Sequence, residues 1–559
     1  MCGIWTYIQF YQDKKNLYKI LSDFWNIQNR GPDNSILETY NNVSIGFHRL
    51  AIMDNSFKSN QPFIFQNNLR TIMFVCNGEI YNFKELIEEY DLDIENNSDC
   101  MTIPKLYLKL DRDIDKFVKL FNKKIKGEFA FVLYEFDNLK NLRKLIIGRD
   151  QIGIRPLYCS NINDANKSLL LSSEIKGMKS YEGEVKEYPP GNIYNFTFDE
   201  FGNKKLKTYD FKWIYNVEEE PIYEENMLEK ILLENLRNAI INSVRRRLKA
   251  DRPLAFLLSG GVDSSLVCGI AAKILKYPIN TFCCGMKGGT DFKYSKMVAD
   301  YIKSNHTEVF FEPETGLKSI PDVISSIESW DTTTVRASVG QYLVSKYIGE
   351  KTDCRVVLVG EGPDEVCSSY MFNWNAPNGK ELHKVAKEYV DNIHYYDCKR
   401  SDRCISCFGL EGRVPLLDPE VIEAYWKIPA IWRHPKYKGI EKWWLRKAFD
   451  GMNIIPDEVL WRKKEAFSDG VSSKEKSWFE IIQENIDNII DDSVNLDLIN
   501  PTKEAYFYRK VFIELFGKNR LNIIPGFWQP RWCNNKGYVD PSARVLEVYD
   551  CNNIIGVVN

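Results

Sequence analysis

Apolar and polar positions alternate in short runs over roughly the first 200 residues, the period-two signature of half-buried strands. NVSIGFHRLAIMD (42–54), LRTIMFVCNGEIYN (69–82), GEFAFVLYEF (127–136) and KLIIGRDQIGIRPLY (144–158) mix β-branched and aromatic residues between Asn, Gly and Asp turns. Pro189, Pro190 and Gly191 then stop the pattern. The polar, aromatic and acidic stretch KTYDFKWIYNVEEEPIYEE (207–225) reads as a linker. Beyond it the period changes: LEKILLENLRNAIINSVRRRL (228–248) repeats its apolar residues at helical spacing. A strand-like PLAFLL (253–258), a glycine turn, a second helical run SSLVCGIAAKIL (264–275) and a further strand-turn element CRVVLVGEGPDE (354–365) follow. Alternating strands and helices predict a parallel sheet flanked by helices. Past residue 370 the chain reads mostly helical, and IIDDSVNLDLIN (489–500) reads as exposed loop or helix ends. No internal repeat is visible.

Composition narrows the class. A chain of 559 residues holds about two to four domains. The apolar 44% and charged 27% are those of a soluble globular protein. A net charge of -3 makes no electrostatic case for nucleic acid. No apolar run is long enough to span a bilayer, and the first residues lack the charged start and apolar stretch of a secretory signal, so a cytoplasmic protein without membrane contact is expected. The 14 cysteines are scattered and read as reduced thiols. Cys404 and Cys407 have CxxC spacing, but neither a second ligand pair nor nearby His394 and Cys398 completes a metal pattern, so no metal site is predicted there.

Two stretches carry chemistry. The chain opens MCGIW. Trimming of Met1 leaves Cys2 with an α-amine of pKa near ~8 and a thiol near ~8.5 on one residue, a base beside its own nucleophile. A cysteine also stands second by chance, and these two letters alone do not decide. SGGVDSS (259–265) lies between a strand and a helix. Adjacent glycines let backbone N–H groups approach a ligand, and the helix N-terminus adds partial positive charge, which suits phosphate. Asp263 can hold the magnesium that accompanies a polyphosphate. The stretch lacks the GK[ST] ending of a Walker loop; read alone, it is also compatible with an ordinary strand-to-helix turn.

SGGVDSS resembles the pyrophosphate loop of N-type ATP pyrophosphatases, and VGEGPDE (359–365) is similar to that class's second acidic loop. With MCGI in front, the chain resembles the glutamine-hydrolysing asparagine synthetases along nearly its whole length. NRGPD (29–33) resembles their HRGPD, HRLAIMD (48–54) their glutamine-site segment, and NGEIYN (77–82) matches almost letter for letter. ESWDTTTVRAS (328–338), GLEGRVPLLD (409–418), GIEKWWLRKAF (439–449), WRKKEAFSDGV (461–471) and DPSAR (540–544) continue the likeness.

The resemblance implies a glutaminase domain over 1–208 with an N-terminal-nucleophile αββα sandwich. A synthetase domain over 209–559 would be a doubly wound parallel sheet of the PP-loop type with a helical C-terminal part. It implies Cys2 as nucleophile, Asn77 and the Gly78 N–H as oxyanion hole, and Arg49 on the glutamine carboxylate. Asp99 would take the α-amino group, and Leu50, Ala51, Ile52, Met53 and Glu79 would line the pocket. On the other side it implies ATP contacts from Leu258, Ser259, Gly260, Gly261, Asp263, Ser264, Ser265, Cys284, Val359 and Gly360. Magnesium would be held through pyrophosphate by Asp263 and Asp364. Lys442 would sit at the α-phosphate, Glu361 would serve adenylation or ammonia attack, and Thr333, Thr334 and Arg336 would lie near the acyl intermediate. The implied substrates are L-glutamine, L-aspartate and ATP, with magnesium and no organic prosthetic group. The implied reaction passes through β-aspartyl-AMP, and a mostly apolar tunnel carries ammonia across the domain interface. Homodimers are frequent in the family, so one is an expectation here too.

Asn29 replaces the family's His, Val359 its Ser, Pro363 its Ser or Ala, and Asn373, Trp374 and Asn375 its Phe, His and Lys. A relative acting on a different carboxylate, as β-lactam-forming synthetases do, and a catalytically silent binding protein are the competing readings. DTTTVRAS and DPSAR favour the asparagine branch over the first. Intact Cys2, Arg49, Asn77, Asp99, Asp263, Asp364 and Lys442 argue against the second.

Overall fold

The computed structural model describes residues 1–10, 17–160, 168–200, 203–212, 225–463, 472, 476–491, 493–494, 496, 501–526 and 528–532. The middle of the expected linker, residues 464–471 of WRKKEAFSDGV, half of 489–500, and all of DPSAR lie outside the described residues.

The period-two pattern of the front becomes two six-stranded sheets packed face to face. In the strand Gly3–Gln9, Ile4 and Ile8 enter the core between the sheets, while Trp5 and Tyr7 face the other way. Val43, Ile45 and Phe47 meet Met73, Val75 and Val132 in that central core. The longest ladder joins Arg70–Ile80 to Gly127–Asp137 in antiparallel register, Asn77 opposite Ala130. On the outer face of this second sheet, Phe74, Phe131 and Leu133 pack on the helices Phe83–Tyr90, Thr102–Lys109 and Ile114–Lys123. The outer face of the first sheet packs on the short helix Asp23–Arg30 and on the second half of the chain. The layers are those expected of an αββα sandwich. Its last strand, Lys204–Asp210, runs two residues past position 208.

In the second half, the helix Glu225–Arg247 buries Leu232, Leu233, Leu236, Ile240 and Val244, one stripe at helical spacing. A five-stranded sheet follows in the spatial order Asn305–Phe310, Asn280–Gly285, Leu254–Leu257, Val356–Leu358, Glu411–Arg413, all parallel. The chain winds outward in both directions from Leu254–Leu257, so the winding reverses between that strand and Val356–Leu358. Loops at the carboxyl ends of strands diverge there and leave a crevice. Helices make up most of the remainder, as the sequence predicts.

The two halves meet through charge. Arg30 of the front half bonds Glu174 and Asp402 at 2.7 Å each, and Asp402 also takes Arg403 at 2.7 Å. Glu128 sits between Arg155 at 3.0 Å and Arg247 at 2.7 Å, and Arg247 continues to Asp418 at 2.7 Å. Glu187 holds Arg149 and His394, both at 2.9 Å. The helix Asp397–Ser406, which supplies Asp402 and Arg403, is buried from Cys398 to Ser406 because both halves cover it. The contact surface between the halves is dense in arginine and carboxylate. Burial alone would expel such charges, and it is their mutual pairing and multiple hydrogen bonds that hold them there.

Arg30 and Arg403 hold the Asp402 carboxyl down to about 2, and Lys176 with the same arginines brings Glu174 to about 2. Both values lie below those of an unfolded chain, near ~4. Their stabilisation is therefore complete above that range and is lost as pH falls toward 2. Asp402→Ala strands two buried guanidinium groups and is expected to cost about 3–5 kcal/mol. Glu423→Ala, which removes the exposed Lys427–Glu423 pair, should stay within about 0.5 kcal/mol. Thermal unfolding of the two variants beside the parent, at pH 7 and pH 3, measures both statements; equal melting shifts would contradict them.

Candidate active sites

The first site forms where the strand Gly3–Gln9 starts beside Arg70–Ile80. The Cys2 N–H donates to Asn77 Oδ1 at 3.0 Å, and the Cys2 thiol donates to Leu50 O at 3.7 Å. Asn77 is fully buried, and its Nδ2 has no hydrogen-bond partner. Fixing Oδ1 on the Cys2 nitrogen leaves the amide's donor end pointing to the remaining space, the orientation an oxyanion needs. Gly78 must be glycine: a Cβ there would stand 2.2 Å from Glu128 O. With Met1 in place, its ammonium donates to Leu410 O at 3.2 Å and burial pushes the Cys2 thiol up to about 11, so that thiol is protonated and inert.

Arg49 is buried and pinned from the loop that follows it. Nη1 donates to Ser56 O at 2.8 Å and Asn60 Oδ1 at 2.7 Å, and Nη2 donates to Asp54 O. A guanidinium has five donors, so Nε–H and one N–H of Nη2 remain for a carboxylate. Leu50, Ala51 and Ile52 are buried, Met53 is half-buried, and the Ala51 N–H is held by Asp33 Oδ2 at 2.8 Å. Asp99 accepts the Ile80 N–H at 2.5 Å, yet burial raises its carboxyl to about 6. A cation arriving beside it would return it to the charged form. Glu79 lies on the same strand, raised well above the ordinary range by burial and by Glu411 and Asp99.

The second site is the crevice where the parallel sheet reverses. Of the ten residues expected to hold ATP, Leu258, Ser259, Gly261, Asp263, Ser264, Cys284, Val359 and Gly360 line it. Gly260 and Ser265 do not. Gly260, at φ +78°, makes the turn, and Ser265 is buried behind the helix start. The helix Val262–Leu275 begins at the glycine pair, so its first N–H groups face the crevice. Gly360 lets the second loop close down: a Cβ there would lie 2.7 Å from Ser264 N. Lys442 Nζ bonds Asp263 Oδ2 at 2.5 Å and Asp364 Oδ1 at 2.6 Å, and these carboxylates raise its pKa. Two carboxylates converging on one point form an all-oxygen donor set of the kind magnesium takes together with phosphate oxygens.

Glu361 reaches the same crevice and pairs with Arg400 Nη2 at 2.6 Å. Burial lifts its carboxyl to about 7 against the pull of Arg400. Arg400 also holds Asp397 at 2.9 Å, and both line the crevice with Gln341, Arg462 and Lys463. Sequence reasoning missed these five; DCKR carries no spacing that announces two cleft residues, and Gln341 is three turns into a helix. Thr333, Thr334 and Arg336 are not among the lining residues. Both threonine hydroxyls donate to Asp331 at 2.7 Å, and Asp331 caps the helix Thr332–Lys351 by accepting the Thr334 N–H at 2.9 Å. Arg336 is committed to Glu504 at 2.7 Å and stacks near Phe479.

The departures fall outside the crevice or fit its backbone. Asn29 is exposed. Pro363 starts the short helix Pro363–Val366, where a missing N–H costs nothing. Asn373, Trp374 and Asn375 form a turn away from the lining residues. Cys404 and Cys407 donate to Ser338 O and Cys404 O, and no cluster able to hold a metal occurs among the described residues.

Residues 1–215 match the family described as Glutamine amidotransferase domain, and residues 235–382 and 374–536 match Asparagine synthase. The chain is 37% identical over 579 residues to the asparagine synthetase (glutamine-hydrolyzing) of Gallus gallus, covering 98% of this chain and 99% of that one. The Mus musculus and Homo sapiens proteins of the same name are 37% and 36% identical over 580 residues, with the same coverage. With both families matched in order and nearly every residue aligned, the chain belongs to the glutamine-hydrolysing asparagine synthetases.

Proposed function

We propose that this chain makes L-asparagine from L-aspartate, ATP and L-glutamine, releasing glutamate, AMP and pyrophosphate. Residues 1–208 act as the glutaminase and 209–559 as the synthetase. The observation that carries the reading is the Cys2–Asn77 contact: one amide fixes the nitrogen of the nucleophilic residue and presents its other end, buried and unpartnered, to the reacting carbonyl.

Removal of Met1 turns the Cys2 nitrogen into an amine that takes the thiol proton. The thiolate attacks the glutamine amide, Asn77 Nδ2 and Gly78 N–H stabilise the oxyanion, and the amine returns its proton to departing ammonia. Water then cleaves the thioester to glutamate. Arg49 and Asp99 hold the two ends of the amino acid, with Leu50, Ala51, Ile52, Met53 and Glu79 around it.

In the crevice, a carboxylate of aspartate attacks the α-phosphorus of ATP and pyrophosphate leaves. Lys442 adds positive charge at the α-phosphate. Asp263 and Asp364 are the residues to hold magnesium, which when bound withdraws charge from the pyrophosphate. Ser259, Gly260, Gly261, Ser264 and Ser265 shape the phosphate loop; Leu258, Cys284, Val359 and Gly360 receive the nucleoside. The acceptor end falls near Gln341, Asp397 and Arg400, on or beside the helix whose first turn holds Thr333 and Thr334 and which Arg336 anchors. Ammonia reaches it through the interior, adds to the acyl carbon, expels AMP and yields its proton to Glu361. The twelve described cysteines are all free thiols, which supports a cytoplasmic setting. A homodimer is the expected assembly.

Amide-15N glutamine, ATP, magnesium and aspartate should give labelled asparagine and AMP by mass spectrometry. Cys2→Ala should make asparagine only from added ammonium. Glutamate without asparagine would reassign the acceptor. Lys442→Met should lower asparagine formation from either nitrogen source about a hundredfold or more while glutamine hydrolysis persists. With free ammonia saturating, turnover should rise with pH through an apparent pKa near 7 as Glu361 ionises, and Glu361→Gln should abolish that limb.

A further inference from the structure

Arg413 lines neither site, yet it touches a wall of each. It ends the strand Glu411–Arg413 at the edge of the parallel sheet and is fully buried. Its carbonyl accepts the Val359 N–H at 3.0 Å, so the loop that carries Gly360 and Glu361 hangs from its main chain. Its side chain is gripped by its own half: Nε by Glu411 at 2.8 Å, and Nη1 by the carbonyls of Arg247 at 2.8 Å and Lys249 at 2.6 Å. Of its nitrogens only Nη2 pairs across the interface, where the guanidinium also lies 5.6 Å from the Tyr81 ring centre. Nη2 stands 3.1 Å from Glu79 Oε2, close enough for an ion pair but without hydrogen-bond alignment. Glu79 follows Asn77 and Gly78 on their strand, whose position sets the oxyanion hole.

The Arg413 main chain is therefore tied to the nucleotide loop, while its guanidinium is held by its own half and incompletely seated toward the strand that carries Asn77 and Gly78. A small displacement of Val359 moves the Arg413 main chain directly and changes how Nη2 meets Glu79. A hydrogen bond weakens steeply as it leaves alignment, so the two seatings differ in energy. A contact with two seatings, biased from one site and felt at the other, is what coupling between sites requires.

We propose that Arg413 is a positioning residue that couples the two sites, aligning with Glu79 when ATP and aspartate fill the crevice and thereby raising the rate of glutamine hydrolysis. The inference rests on the two-site reading above. A coupling of this kind changes a rate or affinity by on the order of tenfold.

The test is the rate of glutamate formation from glutamine, with and without saturating ATP, magnesium and aspartate, for the parent and for Arg413→Lys. Lysine keeps the charge but has no second arm to reach Glu79. Thermal melting and asparagine synthesis from ammonium are measured beside it. The parent should accelerate several-fold when the crevice is loaded; Arg413→Lys should show a loaded-to-unloaded ratio near one while ammonium-dependent synthesis persists. A ratio of one in the parent, or the same ratio in both proteins, overturns the proposal. If Arg413→Lys melts early, Glu79→Asp shortens the contact from the opposite side. The ratio is then read within that variant, so a changed basal rate cancels, and an undiminished ratio again overturns the coupling. Failure of the two-site reading itself looks different: the parent then forms no glutamate, or makes no asparagine from ammonium.

Discussion

Arg30, Glu174 and Asp402 form one closed set of charges away from water, and the relation between the two halves depends on it. Arg30 bonds both carboxylates, and Lys176 on Glu174 and Arg403 on Asp402 complete the pairing, so none bears an uncompensated desolvation cost. An apolar interface of the same area would bind, but it would tolerate small slides; paired charges with fixed directions do not. The constraint reaches the chemistry in a single step on one side, because Arg30 Nε also holds the Cys2 carbonyl at 2.9 Å. On the other side, the helix that offers Asp402 to Arg30 also offers Arg400 to Glu361. Cys2 and the crevice are thus referenced to the same buried helix.

The crevice itself follows from winding order. Strands that leave Leu254–Leu257 in opposite directions must part at their carboxyl ends, and the two glycine-bearing loops occupy that parting. The first loop, 259–265, carries no long side chain, so backbone N–H groups line its part of the crevice, while the second loop carries Glu361. Asp263, Glu361 and Asp364 come from the loops themselves; the positive groups come from elsewhere: Lys442 from a residue at φ +58° preceding a helix, Arg400 from the buried helix. Backbone supplies shape, and distant side chains supply the positive charge.

Local structure was largely legible in the sequence, because alternation and helical spacing are local properties. The run at 228–248 became Glu225–Arg247, and PLAFLL became Leu254–Leu257. Motif-borne residues were legible too: Cys2 and Asn77 meet, as do Asp263, Asp364 and Lys442. Pairings between remote charges were not. Nothing near Arg336 announces Glu504, 168 residues away, and nothing in RVPLLD says that its arginine faces Glu79. The charge buried at the interface was hidden for the same reason. Hydropathy assigns Arg30, Arg155 and Arg403 to the surface one by one, and only the folded arrangement shows that their partners let them be buried.

Asn77–Gly78 also bears on how the protein ages. An asparagine followed by glycine is the dipeptide most prone to deamidate, since the glycine nitrogen meets little hindrance in attacking the side-chain amide. In this fold the pair lies in the extended ladder against Ala130 and Phe129. That conformation holds the glycine nitrogen out of line with its target, and Asn77 Oδ1 is further tethered to Cys2. The residue proposed to form the oxyanion hole is thus chemically fragile in sequence and protected by strand geometry. Its loss with time would follow local opening of that strand, and would leave an aged enzyme able to use ammonium but not glutamine.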